Sequence, residues 1–104
     1  MDSLVAIGIN KVTYVMNALL MNLDRLHTTE RGVFRIRKNL GLDEGDVVAW
    51  CSKQIMDSTA DINRMGKNWY IEVNQCRITV NASSYTIITA HRMEMYHSDL
   101  RKKE

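Results

Sequence analysis

The sequence predicts an α+β domain in which about three N-terminal helices pack on one face of a three- to four-stranded antiparallel β-meander. Two features of the chain lead to this prediction. Apolar residues recur at helical spacing up to Asp57, and beyond it they alternate with polar residues as in half-buried strands. The chain also has 104 residues, of which 45% are hydrophobic, as is usual for one domain with its own core.

The first predicted helix covers residues 1–26, and Asp2 or Ser3 can cap its start. Its apolar residues are separated alternately by four and three positions, like the a and d positions of a coiled coil: Val5, Ile9, Val12, Met16, Leu19, Leu23 and Leu26. Such a seam is longer than one small sheet needs to bury. We therefore expect this helix to pair with a second copy of the chain, giving a homodimer.

Two shorter helices are predicted to follow. Thr28 or Thr29 is a good N-cap for the second helix, and Gly41 is suited to its C-terminal end. Asp43 is the predicted N-cap of the third helix, with Asp46 in its acidic first turn. The residues expected to face the core are Val33, Ile36 and Leu40 in the second helix and Val47, Val48, Cys51 and Ile55 in the third.

Four strands are predicted after the helices, over residues 60–65, 68–73, 76–81 and 85–92. Asn74-Gln75 is a candidate two-residue turn between the second and third. The last strand is apolar on both faces, which predicts a central position in the sheet. Residues 93–104 form a charged tail, so we predict a single domain over 1–104 with its core over 27–92.

Cys51 and Cys76 lie within apolar patterns, and we expect both to be buried free thiols. The sequence has no His or Cys cluster at metal-ligand spacing and no glycine-rich phosphate loop, so we expect no metal and no cofactor. No stretch is apolar enough to cross a bilayer, and the first residues are acidic rather than basic. These features favour a cytoplasmic protein without a membrane partner.

The net charge of +2 excludes a strongly basic arm or an acidic tail as a description of the whole chain. The charge is nevertheless uneven, being +3 over residues 27–42, −4 over residues 43–61 and +3 over residues 62–92. Local basic surface can hold phosphate groups even when the net charge is small. The same distribution also fits ordinary solvated faces, and both interpretations stay open at this point.

Side chains suited to chemistry are concentrated near Gly66 and in the last predicted strand. Metal-independent RNA cleavage needs a general acid or base, a cation and a positioned 2′-hydroxyl. The candidate catalytic residues are His91, Lys67, Thr89 and His27. The candidate substrate-binding residues, suited to phosphate contacts or base stacking, are Arg92, Tyr70, Arg35 and Lys38. For each of these residues, a purely structural or solvent-exposed position is the alternative interpretation.

Motifs between residues 27 and 92, above all GKNWY at 66–70 and ITVNASSYTIITAH at 78–91, resemble a small bacterial protein family of unknown function. This resemblance implies a short cytoplasmic bacterial protein with no assigned activity. The order of helices followed by an antiparallel meander is also similar to the Barnase–EndoU–colicin–RelE group of ribonucleases. That likeness is one of topology, which does not by itself determine function.

Three hypotheses about function follow. The first is a homodimeric interaction or regulatory protein that pairs through its N-terminal helix. The second is a metal-independent endoribonuclease of a toxin or phage-defence type, with an antitoxin as its protein partner. The third is non-catalytic binding of RNA or DNA through the basic second helix. Whether the protein is an enzyme is left open by the sequence.

Overall fold

The computed structural model describes residues 18–43 and 45–93. Within these ranges the chain forms a short 3₁₀ turn, two α-helices and a four-stranded antiparallel sheet, which confirms the predicted α+β class. In chain order they are the 3₁₀ turn Leu23–Arg25, α1 (Glu30–Leu40), α2 (Val47–Ile55), β1 (Asp61–Met65), β2 (Asn68–Val73), β3 (Cys76–Asn81) and β4 (Ile87–Arg92).

The chain is helical at residues 18–20 and then leaves the helix, so the predicted continuation to Leu26 is wrong. The Asn22 side chain donates a hydrogen bond to the Ala18 carbonyl (2.7 Å), and the Asn22 amide donates to the Leu19 carbonyl (3.0 Å). Such local bonds by an asparagine compete with a continuing helix. Most of the predicted seam of the first helix lies outside the described residues.

Helix α1 is capped at both ends as its sequence predicts. The Thr29 hydroxyl accepts a hydrogen bond from the Gly32 amide (3.0 Å), which satisfies one of the free amides of the first turn. Gly41 adopts a left-handed conformation (φ +73°) that a side chain would strain, and its amide donates to the Arg37 carbonyl. Ile36 and Leu40 are buried on the inner side of the helix.

Helix α2 begins three residues later than its acidic sequence suggests. Asp46, rather than Asp43, is the N-cap, and its Oδ1 atom accepts hydrogen bonds from the Val48 and Ala49 amides (3.0 and 3.1 Å). Gly45 precedes it with φ +103°, a conformation that cannot continue into a helix. As predicted, both thiols are free and buried, Cys51 on α2 and Cys76 at the start of β3.

The sheet has the strand order β1-β2-β3-β4, and each strand pairs antiparallel with the next. The predicted bounds of β2 and β3 are confirmed to the residue, and β1 begins at Asp61 instead of residue 60. Asn74 and Gln75 both have positive φ angles (50° and 63°), as in the tight turns that join twisted hairpin strands.

Strand β4 lies at the end of the described strand order, so the predicted central position is wrong. The neighbour of β4 beyond β3 is α1 instead of a further strand, and Ile88 on the other side of β4 is 40% exposed. Three hydrogen bonds join β4 to α1 and to Thr28, the residue before the N-cap of α1. Thr28 Oγ1 donates to the Ile87 carbonyl (2.8 Å), and Asn39 Nδ2 donates to the Ala90 carbonyl (3.3 Å). The Arg92 guanidinium donates to the Leu40 carbonyl (3.0 Å). Helix α1 therefore runs alongside β4 and occupies its edge.

The core is one cluster that joins the buried residues of α1 and α2 with alternate residues of the strands. Ile71 and Ile78 oppose each other across the two middle strands, and the Trp69 and Tyr85 rings lie 5.3 Å apart between centroids. No helix formed by the described residues is long and apolar enough to cross a membrane.

Candidate functional site

One face of α1 carries three cations around an exposed aromatic ring. Arg31, Phe34, Arg35 and Lys38 follow one another at the i, i+3, i+4 and i+7 spacing that places side chains on one side of a helix. All four are exposed, and Phe34 retains 69% of its accessible surface. We call these four residues the α1 basic face.

Phe34 stands as a ridge between two open depressions. One has a volume of about 380 Å³ and is lined by Arg31, Phe34, Arg35, Lys38 and Asn39. The other has a volume of about 470 Å³ and is lined by Phe34, Arg37, Lys38, Gly41, Leu42 and Asp43. A planar ligand group can therefore approach the Phe34 ring from either side, with a cation beside it.

The charge of the α1 basic face is not cancelled within the described residues. No carboxylate among them lies within ion-pair distance of Arg31, Arg35 or Lys38, whereas Glu72 and Arg77 do form such a pair. The neighbouring Arg37 has a structural role, since its guanidinium donates to the Gly45 carbonyl (2.7 Å) and holds the loop before α2. Among residues 18–43 and 45–93, nothing neutralises the three exposed cations.

A second polar surface lies on the sheet, and three predicted site residues meet there. Strand register aligns Tyr70, Thr79 and Thr89 in one row, and places His91 in the adjacent row with Arg77. These side chains alternate along the strands with the buried residues of the core, so they share the opposite face. The structure therefore brings together Tyr70, Thr89 and His91.

The side chains of this sheet face are engaged with one another. The Arg77 guanidinium donates to the Glu72 carboxylate and lies 5.7 Å from the centroid of the Tyr70 ring. Asn68 Nδ2 lies 3.3 Å from the Tyr70 hydroxyl, to which it donates. Because the charge of Arg77 is matched by that of Glu72, the side chains that the structure describes on the sheet face carry less excess positive charge than α1 does.

Lys67 lies at the other end of the sheet from His91. Lys67 is in the β1–β2 turn, directly before Asn68, whereas His91 is level with Arg77 and hence with Glu72. Five residues along a strand span roughly 16 Å. Lys67 and His91 therefore do not line one site, and the catalytic roles assigned to them from the sequence stay predictions.

His27 is bound into the join between α1 and β4. Its Nδ1 atom lies 2.9 Å from the Arg25 carbonyl, and its Nε2 atom lies 3.1 Å from Thr86 Oγ1. The Thr86 hydroxyl is in turn 2.7 Å from Ser84 Oγ. This chain of hydrogen bonds gives His27 a local structural role at the same end of the sheet as Lys67.

Of the remaining candidate residues, one supports the fold and two belong to the α1 basic face. Arg92 donates to the Leu40 carbonyl and so supports the end of α1, while Arg35 and Lys38 belong to the α1 basic face.

Sequence reasoning missed Phe34, although the sequence contains a signal for it. An aromatic residue out of phase with Ile36 and Leu40, with cations next to it at helical spacing, indicates an exposed ring. Among the described residues, no group of three or more His, Cys, Asp or Glu side chains could hold a metal ion.

The match to a known family covers both the α1 basic face and the polar residues of the sheet face. A family model described as "Protein of unknown function (DUF3781)" matches residues 20–91. The chain belongs to this family. Membership of the DUF3781 family confirms the predicted resemblance to a family of unknown function, and the matched range includes α1, α2 and nearly all of the sheet. Comparison with curated proteins and with solved structures gives no match, and the similarity to ribonucleases gains no support.

Proposed function

We propose that this DUF3781 protein binds single-stranded nucleic acid, without cleaving it, through the α1 basic face. The observation that carries the proposal is the exposed Phe34 ring among three exposed cations on one side of a single helix. Arginine and lysine side chains bind phosphates, and an aromatic ring offers a base a stacking surface. Unpaired bases are free to stack in this way, so a single strand fits the face better than a duplex.

The rigidity of α1 favours this role. Thr29 and Gly41 cap the helix, and Asn39 and Arg92 fasten its C-terminal half to β4. A helix held at both ends fixes the backbone positions from which these side chains extend, so binding has to order only the side chains themselves.

The expected binding is weak and sensitive to salt. Three phosphate contacts to a single strand predict a slope of about −2 in a plot of log K against log salt concentration. Stacking of one base on Phe34 adds about 1–3 kcal/mol. An affinity that does not change with salt concentration would contradict phosphate recognition by this face.

Fluorescence anisotropy with a labelled RNA of about 12 nucleotides tests the proposal directly. Arg35→Gln should weaken binding several-fold and reduce the salt slope, because it removes one phosphate contact. Arg64→Gln is the matched control, since Arg64 is an exposed cation on β1, at the far end of the strand order from the β4 edge that α1 occupies. Equal losses in the two variants would show a general charge effect and overturn the assignment to α1.

The contribution of the aromatic ring is measured in the same assay. Phe34→Ala should weaken binding by roughly tenfold through lost stacking. Met65→Ala is the matched control, because Met65 is also a large exposed apolar side chain (63%) and lies on β1. A DNA of the same sequence shows whether the sugar matters. Cleavage of the RNA in EDTA that His91→Ala abolishes would replace the proposed binding with catalysis.

A further inference from the structure

We infer that this surface selects guanine, because the Asp43 carboxylate can accept both hydrogen-bond donors on the Watson–Crick edge of a guanine stacked on Phe34. The inference rests on the proposed function, since it names the base that the same site prefers. Asp43 then determines specificity, whereas Arg31 and Arg35 bind phosphates of any sequence.

The two depressions beside Phe34 differ in charge. Phe34 and Lys38 line both of them. The smaller depression adds the two arginines of the α1 basic face, whereas the larger one, of about 470 Å³, adds the carboxylate of Asp43. A carboxylate repels a phosphate group. The phosphates of a bound strand should therefore follow the smaller depression, and a base stacked on Phe34 should lie over the larger one.

The loop that carries Asp43 is bound to α1 on both sides of this residue. The Leu42 amide donates to the Arg37 carbonyl (2.9 Å), and the Arg37 guanidinium donates to the Gly45 carbonyl (2.7 Å). Asp43 itself is exposed, and it does not cap α2. Arg37 thus holds the backbone from which the Asp43 carboxylate extends beside Phe34.

The larger depression contains both acceptors and donors. Asp43 supplies two carboxylate oxygens, while Lys38 and Arg37 supply N–H groups beyond the one that Arg37 gives to Gly45. Among the residues that the structure describes, no ion pair joins Asp43 to either cation. This arrangement suits a ligand edge that carries adjacent donors and an acceptor.

Guanine is the base whose Watson–Crick edge has this pattern. Its N1–H and N2–H groups are adjacent donors that the two oxygens of one carboxylate can accept together, and its O6 atom accepts from a cation. Adenine and cytosine each place an acceptor next to their amino donor, and uracil places its donor between two acceptors. Each of these three bases would turn a lone pair towards the carboxylate.

Fluorescence anisotropy with labelled oligo(U) strands of about 12 nucleotides, unchanged or with a central G, A or C, tests the inference. The guanine strand should bind about tenfold more tightly than the others. Inosine at the same place lacks the N2 amino group and should lose most of this advantage.

Asp43→Asn should bring the guanine strand to within about twofold of the others, because the amide places a donor where guanine needs an acceptor. The variant should also no longer distinguish guanine from inosine. Asp61→Asn is the matched control, since it removes the same charge from an exposed aspartate on β1 and should leave the preference intact.

Guanosine monophosphate tests recognition of the base without a strand. In NMR spectra of the isotope-labelled protein, it should shift the amide signals of residues 41–46 more than adenosine monophosphate does, and Asp43→Asn should remove the difference. Equal shifts from the two nucleotides in the wild type would contradict the role of Asp43.

Failure of the inference differs from failure of the proposed function. RNA binding that depends on Phe34 but is equal for the four bases, or that Asp43→Asn tightens for all strands alike, overturns guanine selection and leaves strand binding standing. A protein that binds no RNA, yet responds to guanosine monophosphate in a way that Asp43→Asn abolishes, refutes strand binding and retains guanine recognition.

Discussion

The Nε2 atom of His27 lies 3.1 Å from Thr86 Oγ1, although 59 residues separate them in the sequence. Since His27 Nδ1 faces the Arg25 carbonyl, the neutral ring must donate from Nδ1 and accept the Thr86 hydroxyl proton at Nε2. The backbones of the two residues also form a parallel bridge. This contact fixes the start of α1 against the start of β4, and so positions the α1 basic face on the sheet.

Thr28 should contribute more to stability than its small side chain suggests. Its hydroxyl donates to the Ile87 carbonyl at 2.8 Å in a half-buried setting. Thr28→Ala should lower the free energy of unfolding by about 1 kcal/mol in urea denaturation, because the carbonyl loses its partner. Thr28→Ser retains the hydroxyl and serves as the control. A loss as large in Thr28→Ser would mean that the hydrogen bond is not the cause.

Gly32 should tolerate alanine less well while the Thr28 hydroxyl is present. A Cβ atom at Gly32 would collide with Thr28 Oγ1 and displace it from the Ile87 carbonyl. Gly32→Ala should therefore destabilise the wild-type chain by about 1 kcal/mol, even though alanine is the better helix former. In a Thr28→Ala background the same change should cost less, because only the milder 3.3 Å contacts to the Cβ of residue 28 and to Thr29 Oγ1 remain. A double-mutant cycle measures this coupling, and additive effects would contradict it.

The position of the α2 cap predicts unequal roles for two neighbouring aspartates. Asp46→Ala should cost about 1 kcal/mol of stability, because the Val48 and Ala49 amides lose their acceptor. Asp43→Ala should cost much less, since Asp43 is exposed and does not cap the helix. Thermal denaturation of both variants at low protein concentration compares them. A larger loss in Asp43→Ala would place the start of α2 at the earlier residue.

Cys51 should be inert to alkylation in the folded protein. Burial, with a smaller effect from Cys76, raises the pKa of the Cys51 thiol from 9.0 to about 12, so the reactive thiolate is scarce at neutral pH. Iodoacetamide should label Cys51 only after unfolding, as mass spectrometry of tryptic peptides can show. Fast labelling of the native protein at pH 8 would contradict the buried position.

The same pKa shift predicts how stability changes at alkaline pH. The folded pKa lies above the unfolded one, so the contribution of Cys51 is complete below pH 9 and decreases as the pH rises from 9 towards 12. Cys51→Ala should be less stable near neutral pH but should lose less stability over this alkaline range. A pH dependence identical to that of the wild type would argue against the shift.

Local chemistry made much of the fold predictable. Thr29 and Gly41 are recognisable as the two caps of α1, and Asn74-Gln75 as a hairpin turn, because each depends on residues within one turn of itself. Asp43 and Asp46 are equally good caps by composition. The choice between them depends on the positive φ angle of Gly45, which cannot be inferred from the pattern of apolar residues.

Features set by long-range contacts could not be predicted in the same way. The apolar residues on both sides of β4 indicated burial on both sides, yet Ile88 is 40% exposed, and the element that packs beside β4 is α1 and not a further strand. Helical periodicity is enough to place Arg35 and Lys38 on one face. The separation of Lys67 from His91 could not be predicted in this way, because it depends on strand pairing across the whole sheet. The exposed Phe34 could have been found from its phase in the helix.

The way α1 occupies the edge of β4 has a consequence for the order of folding. The meander forms through hairpins whose partners are close in sequence, while the bonds from Thr28, Asn39 and Arg92 bridge 59, 51 and 52 residues. Contacts across such long loops form late, because much more chain entropy must be lost before they gain anything. On the growing polypeptide, α1 is synthesised before β4 and cannot pack until β4 has emerged. Its cations and Phe34 are therefore exposed to solvent and to other molecules before the sheet has formed.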